Sequence, residues 1–210
     1  MKREVLTEYE AEKILKRYLP IAKNQLVKTI REIKLKKFPL VLKIISQQAL
    51  HKSEIKGVRI VQNQEELEKN FKDLIKISKR KKLKLDGILV QEYHEGIQLI
   101  IGIKKDPVFN HVILFGAGGI YTEILRDFSI RACPISIADA ESMIEDLKIK
   151  NIFYGFRGTK LNVENIKKIL VSASKIPLKY KKLVEMDINP LIVNEKREKV
   201  VDARMIFEGS

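Results

Sequence analysis

Short apolar runs separated by turn-forming residues constrain this chain most. Leu40-Val-Leu-Lys43-Ile-Ile45 is apolar throughout except for one lysine and reads as a strand buried on both faces. After a polar loop, Gly57-Val-Arg-Ile-Val61 has the same character. Gly87–Glu92, Gln98–Ile103 and Val112–Phe115 follow, divided by turn formers that include Asp106-Pro107 and Phe109-Asn110. Gly116-Ala-Gly118-Gly119 then opens a further extended segment. Helical patterns lie among these strands without regular βαβ alternation, so the chain is expected to be an α+β protein. There is no internal repeat and no low-complexity linker.

The helices announce themselves by their caps. In Thr7-Glu-Tyr-Glu10 the threonine and glutamate can satisfy each other's otherwise unpaired N–H groups. Ala11, Ile14, Leu15 and Tyr18 then form one apolar stripe that ends near Pro20. An extended stretch at Gln25–Val27 leads to a second such box, Thr29-Ile-Arg-Glu32, and a short helix stopped by Phe38-Pro39. Asn63 caps a longer helix with the stripe Leu67, Phe71, Leu74 and Ile75. Two more helices are marked by Ala140, Met143, Ile144 and Leu147, and by Ile166, Ile169, Leu170 and Ala173 behind Asn162.

With 210 residues and 45% hydrophobic content, the chain can bury a core as one large domain or two small lobes. No apolar run is long enough to span a bilayer, and Met1–Glu4 lacks the apolar stretch of a signal peptide, so a cytoplasmic location and no membrane partner are expected. The single cysteine, Cys133, excludes an intramolecular disulfide and reads as a small buried side chain. With only His51, His94 and His111, a histidine-rich transition-metal site is not expected. Forty-one Lys and Arg against 27 Asp and Glu give a formal charge of +14, which admits nucleic acid, an acidic partner or anionic substrates. Lysine dominates, however, and Lys79-Arg-Lys-Lys82 falls where cations complement a helix C-terminus. A solvated helix end therefore explains that run better than a nucleic-acid surface does.

The C-terminal segment carries the strongest chemical signal. Glu185-Met-Asp187-Ile-Asn189-Pro190-Leu-Ile-Val193 and Val200-Val-Asp202-Ala-Arg204 read as a β-hairpin. With the turn centred between Glu195 and Lys196, Asn189 lies directly opposite Asp202, with Cβ atoms about 4.5 to 5.5 Å apart on one sheet face. Such a pair suits Mg²⁺, which takes one or two protein oxygens and completes its octahedron with water and phosphate; a surface hairpin with a polar pair accounts for the same residues. The ammonium of Lys43, in its apolar strand, must reach solvent, a carboxylate or a bound anion. The glycines 116, 118 and 119 leave backbone N–H groups unobstructed, as phosphate-cradling loops require, though a tight turn needs them equally. Their spacing fits neither the dinucleotide fingerprint nor a Walker loop, since Tyr121 stands where a third glycine belongs. Gln91-Glu92 ends an apolar strand before the polar Tyr93-His-Glu-Gly96, which reads as a hinge.

Taken in order, these pieces resemble the ATP-grasp β subunit of ADP-forming acyl-CoA synthetases, the acetyl-CoA synthetase type. The resemblance runs through Leu6-Thr-Glu-Tyr-Glu-Ala11, Phe38-Pro-Leu-Val-Leu-Lys43, Leu50-His-Lys-Ser53, Val90-Gln-Glu92, Ile113-Leu-Phe-Gly-Ala-Gly-Gly-Ile120, Met186-Asp-Ile-Asn-Pro-Leu191 and Val201-Asp-Ala203. The related succinyl-CoA synthetase β subunit shares the Asn-Pro-Leu and Asp-Ala elements. The resemblance implies an ATP-grasp fold of two α/β lobes, 1–91 and 92–208, with a nucleotide cleft between them. It implies that Lys43 binds nucleotide phosphate, that Gln91 and Glu92 lie around adenine, and that Gly116, Gly118 and Gly119 approach the phosphates. Asn189 and Asp202 would hold Mg²⁺, with ATP or ADP as the nucleotide. Arg131 and Arg157-Gly158 fall in similar contexts, where surface ion pairing explains arginines equally well.

His51 takes the most specific role the resemblance implies, as the second phosphohistidine of a relay, with Lys52 offsetting phosphoryl charge. In that relay acyl-CoA and phosphate give acyl phosphate, a histidine of a partner subunit takes the phosphoryl group, and His51 hands it to ADP. The chain shows no CoA-binding Rossmann domain or acyl site, so the resemblance implies a ligase subunit active only with a CoA-binding α subunit, as α2β2. Two positions depart from the family pattern: Lys56-Gly57 stands where Gly-Gly is expected, and Gln98 where glutamate is usual. Two other classes fit some of the same residues. One is another ATP-grasp enzyme that activates a carboxylate without a histidine intermediate; the other is a basic nucleic-acid-binding protein.

Overall fold

The computed structural model describes residues 3–48, 56–119, 126–155 and 161–209. In chain order the elements are β1 (Arg3–Val5), α1 (Glu8–Leu15), β2 (Asn24–Val27), β3 (Leu40–Ile45), β4 (Val58–Val61), α2 (Gln64–Arg80), β5 (Gly87–Glu92), β6 (Ile97–Asp106), β7 (Asn110–Ala117), β8 (Phe128–Ala132), α3 (Ile137–Glu145), α4 (Val163–Ser174), α5 (Ile176–Lys179), β9 (Leu183–Val193), β10 (Glu198–Val200) and β11 (Ala203–Glu208). They form two compact units. One comprises the chain up to Ile21 and from Glu95 onward; the other is Ala22–His94.

The smaller unit is an antiparallel sheet in the order β2-β5-β3-β4. Alternation along its strands sends Leu40, Leu42, Ile44, Ile88 and Val90 to one face, where they pack with Leu67, Phe71 and Leu74 of α2. That helix starts where Asn63 Oδ1 accepts the Glu66 N–H at 2.9 Å. It ends with Lys82 in the left-handed region, φ +53°, and with the Leu83 N–H returning to the Ser78 carbonyl at 3.0 Å. The basic run 79–82 is therefore a helix terminus. The box at Thr29 does not form: a 3₁₀ turn spans Ile30–Glu32, the Thr29 hydroxyl donates to Glu32 instead of capping, and Glu32 accepts the Lys28 N–H.

The larger unit holds a seven-stranded sheet in the order β1-β11-β9-β6-β7-β8, with β10 also paired to β9. Leu99, Ile101 and Ile103 of β6, Ile113 and Phe115 of β7, and Met186 and Ile188 of β9 share one buried cluster with Ala140, Met143 and Ile144 of α3 and Ile166 and Leu170 of α4. The opposite face of this sheet carries the polar residues of the hairpin. At the N-terminus the Thr7 box forms with both halves present, and Ala11 and Leu15 of α1 join the same cluster. The sequence reading draws a single boundary at 91/92. The structure has one at 94/95 and a second at 21/22, because β1 pairs antiparallel with β11, Arg3 opposite Glu208, and carries α1 with it.

Candidate functional site

The hairpin register places the polar pair as its spacing predicts. Glu198 faces Val193, Val200 faces Leu191 and Ala203 faces Ile188, so Asn189 and Asp202 are opposed, and the Asn189 N–H donates to the Asp202 carbonyl at 3.2 Å. A bulge against β6 adds what the hairpin alone did not reveal. Leu99 pairs with Leu191 but Ile101 with Ile188, so Asn189 and Pro190 together oppose the single residue Ile100. The extra residue switches the inward set from Met186 and Ile188 to Leu191 and Val193, and Asn189 projects from the face away from the core. Its Oδ1 accepts the Gly119 N–H at 3.2 Å, which leaves that oxygen a second lone pair. An amide oxygen beside a carboxylate is a hard, oxygen-only donor pair, and Mg²⁺ fits it.

Of the two readings that its composition allows, the glycine turn has the contacts of a tight turn. A side chain at Gly116 would collide with the Asp127 carbonyl oxygen and come within 2.8 Å of Phe128 Cβ; one at Gly118 would lie 2.6 Å from the Leu99 carbonyl carbon. Both glycines are required by the close approach of neighbouring strands. Gly119, at φ +63°, is required by its backbone conformation and by the Gln98 side chain beneath it. The N–H groups are also engaged: Gly118 donates to the Gln98 carbonyl at 2.9 Å, and Gly119 to Asn189. Instead of an open cradle, the segment supports Asn189. Gln98 is the side chain on which this turn rests.

On the smaller unit, Lys43 is only 5% exposed. Its neighbours Leu42 and Ile44 face α2, so Lys43 projects from the other side of the sheet, opposite Leu89 of β5 and Val58 of β4. Gln91, 1% exposed, stands on that same side, opposite Val41 and Asn24. Glu92 alternates to the other side, and its carboxylate lies 3.8 Å from Lys23 Nζ and 3.7 Å from His94 Nε2. Lys43 and Gln91 thus share a surface that Glu92 leaves. His51, Lys52 and Arg157-Gly158 lie outside the described residues. Arg131 is engaged by Asp146 at 2.7 Å and by the Ser129 and Ser142 hydroxyls, a surface ion pair.

Sequence reasoning assigned no role to the next residue pair of the hairpin. Arg204 is directly opposite Asp187, each two residues from a member of the Asn189–Asp202 pair and so on the same face. Burial raises the Asp187 carboxyl above the usual range, Glu185 adds to the rise, and Arg204 counters it. The register that aligns 189 with 202 also aligns 187 with 204, so the signal was available.

Comparison with known proteins bears on this geometry. A family model described as ATP-grasp domain matches residues 1–207. The β subunit of acetate–CoA ligase (ADP-forming) II of Pyrococcus furiosus is 38% identical over 220 residues, covering 99% of this chain and 93% of that subunit. Acetate–CoA ligase (ADP-forming) I of Archaeoglobus fulgidus is 38% identical over 174 residues, 81% of this chain but 25% of its own length. The chain thus spans about a quarter of that longer relative and nearly all of the separate subunit. Acetyl-coenzyme A synthetase 1 of Ca. Korarchaeum cryptofilum, solved with coenzyme A, Ca-AMPCP and HgCl+, matches with TM-score 0.90 and 39% identity over 98% of this chain and 94% of that one. The same protein with coenzyme A and Mg-AMPPCP, its phosphohistidine segment pointing towards the nucleotide binding site, matches with TM-score 0.85 and 39% identity, covering 97% and 93%.

Proposed function

Because the chain belongs to the ATP-grasp domain family, we propose that it is the nucleotide-binding β subunit of an ADP-forming acid–CoA ligase. The reaction is acyl-CoA + ADP + phosphate to acid + CoA + ATP, reversible, and this chain carries its last step, transfer of a phosphoryl group from phosphohistidine to ADP. The observation that carries this reading is the cross-strand pair Asn189–Asp202, turned away from the core and braced by the Gly119 N–H.

Phosphoryl transfer depends chiefly on positioning and on stabilising charge, and the chain's residues divide that work. Asn189 and Asp202 would hold Mg²⁺, which when bound supplies charge neutralisation at the phosphates. Lys43 presents a buried ammonium to the nucleotide phosphates, and desolvation strengthens its attraction for them. Gln91, on the same face, donates and accepts hydrogen bonds towards base or ribose, with Glu92 adjacent in sequence. Gly116, Gly118 and Gly119 act through the turn they allow. His51 is the phosphoryl carrier, with Lys52 offsetting phosphoryl charge, and Arg157 serves nucleotide binding. CoA and acyl chemistry belong to a separate α subunit, assembled as α2β2, in the cytoplasm; the longer single-chain relative is consistent with those parts lying elsewhere.

Titration of Mg-ADP and Mg-ATP into the wild type, Lys43→Ala and Asp202→Asn tests the site. Each variant is expected to bind at least about tenfold more weakly, the effect of losing one charged contact of roughly 1.5 to 3 kcal/mol. Unchanged affinity in both would overturn the assignment. Acid-labile phosphate on His51 after Mg-ATP treatment separates the relay from direct carboxylate activation.

A further inference from the structure

We infer that Arg204, together with the vacant strand position at Gly102, forms a subsite for the terminal phosphoryl group of a nucleoside triphosphate. The inference rests on the nucleotide reading above and extends its site by one row along the sheet.

Gly102 is opposite Asp187 on β9, and Asp187 is opposite Arg204 on β11, so the three residues form a row across β6, β9 and β11. Gly102 differs from the glycines at the end of β7 and just beyond it. Gly116 and Gly118 are imposed by backbone contacts, whereas a Cβ at Gly102 would meet only Leu114 Cβ at 3.7 Å, an ordinary contact. A glycine inside a strand weakens it and commonly marks close approach of a ligand or another backbone. Packing among the described residues does not require one here. Leaving the row open beside Asp187, two strands from Arg204, does.

Arg204 supplies the second observation. Its Nε is buried and lacks a hydrogen-bond partner among the described residues. A buried donor left unpaired costs stability, and a guanidinium fork matches phosphate oxygens in geometry and charge. Two residues along a strand span about 7 Å, so Arg204 lies one phosphate's reach from Asp202. Asp187 and Glu185 face the same row from β9, and Lys104 pairs opposite Glu185. The two carboxylates oppose a free anion. The row therefore favours a phosphoryl group that arrives with a magnesium counter-charge over inorganic phosphate alone.

Binding of Mg-ATP, Mg-ADP and inorganic phosphate to the full chain tests this in Arg204→Gln, Arg204→Lys and Gly102→Ala. Arg204→Gln and Gly102→Ala are expected to weaken Mg-ATP at least tenfold while Mg-ADP stays within twofold of wild type. Arg204→Lys should recover part of the loss, and Gly102→Ala should melt no lower than wild type. Equal effects on the two nucleotides, or none, would overturn the subsite, as would inorganic phosphate binding more tightly than Mg-ATP. Asp202→Asn separates the two layers: loss of both nucleotides there with Arg204→Gln silent sinks only the subsite, whereas retention of both sinks the magnesium reading beneath it.

Discussion

Lys56 occupies the left-handed region at φ +54°, a conformation that favours glycine. Lys56, which stands where the resemblance leads to an expected glycine, thus occupies a strained backbone position that a glycine would relieve. Arg131 shows the opposite outcome. Of the two readings its context allowed, the surface ion pair forms, and Ser129 and then Arg131 hold the Asp146 carboxyl below its ordinary range. A depressed acid contributes stability above its unfolded value of 3.8, and that contribution is lost as the pH falls through the lower, folded value. Asp146→Asn should therefore melt below wild type at pH 7, with the two melting curves converging below about pH 4. A constant gap across that range, measured by thermal melts, would contradict the assignment. The burial of Lys43 was legible from the apolar strand around it; the partner of an exposed arginine is set by folding and was not.

Among elements, the hairpin was the most legible, since a two-residue period and a centred turn determine which residues face each other. The bulge opposite Ile100 was not legible. It arises from pairing with β6, remote in sequence, and it decides which face Asn189 takes. Strand β8 was missed for a related reason: Phe128 and Ile130 are exposed, so its alternation does not resemble a half-buried strand. The glycine turn was legible as a tight turn, but the contacts that require its glycines were not, because they come from β6 and β8. Gly118→Ala should destabilise by about 1 to 3 kcal/mol, since the new Cβ meets Leu99 backbone that cannot move aside cheaply. Urea unfolding checks this; a wild-type midpoint would show that the close approach relaxes.

At the scale of the molecule, the chain contributes to its larger unit twice, first with β1 and α1 and again from Glu95 onward. A linear reading of apolar periodicity cannot see this return, because β1 is three residues long and gains its meaning only from β11. Removal of residues 1–6 should speed amide exchange in β11 while leaving β2, β3, β4 and β5 protected as in the full chain. Faster exchange in the smaller sheet instead would contradict the division. ATP-grasp membership was legible at this scale, since ordered motifs along almost the whole chain carried it.

The amino-acid sequence by itself determined the caps at Thr7, Asn63 and Asn162, most of the strand runs, the hairpin register and the pairing of Asn189 with Asp202. These follow from periodicity and capping chemistry acting over a few residues. Only the tertiary structure decided that the N-terminal segment joins the C-terminal sheet, that the glycines answer to strand contacts, and that Asp187, Arg204 and Gly102 form one row. Each of these depends on pairing between strands distant in the chain, which local chemistry permits but does not select.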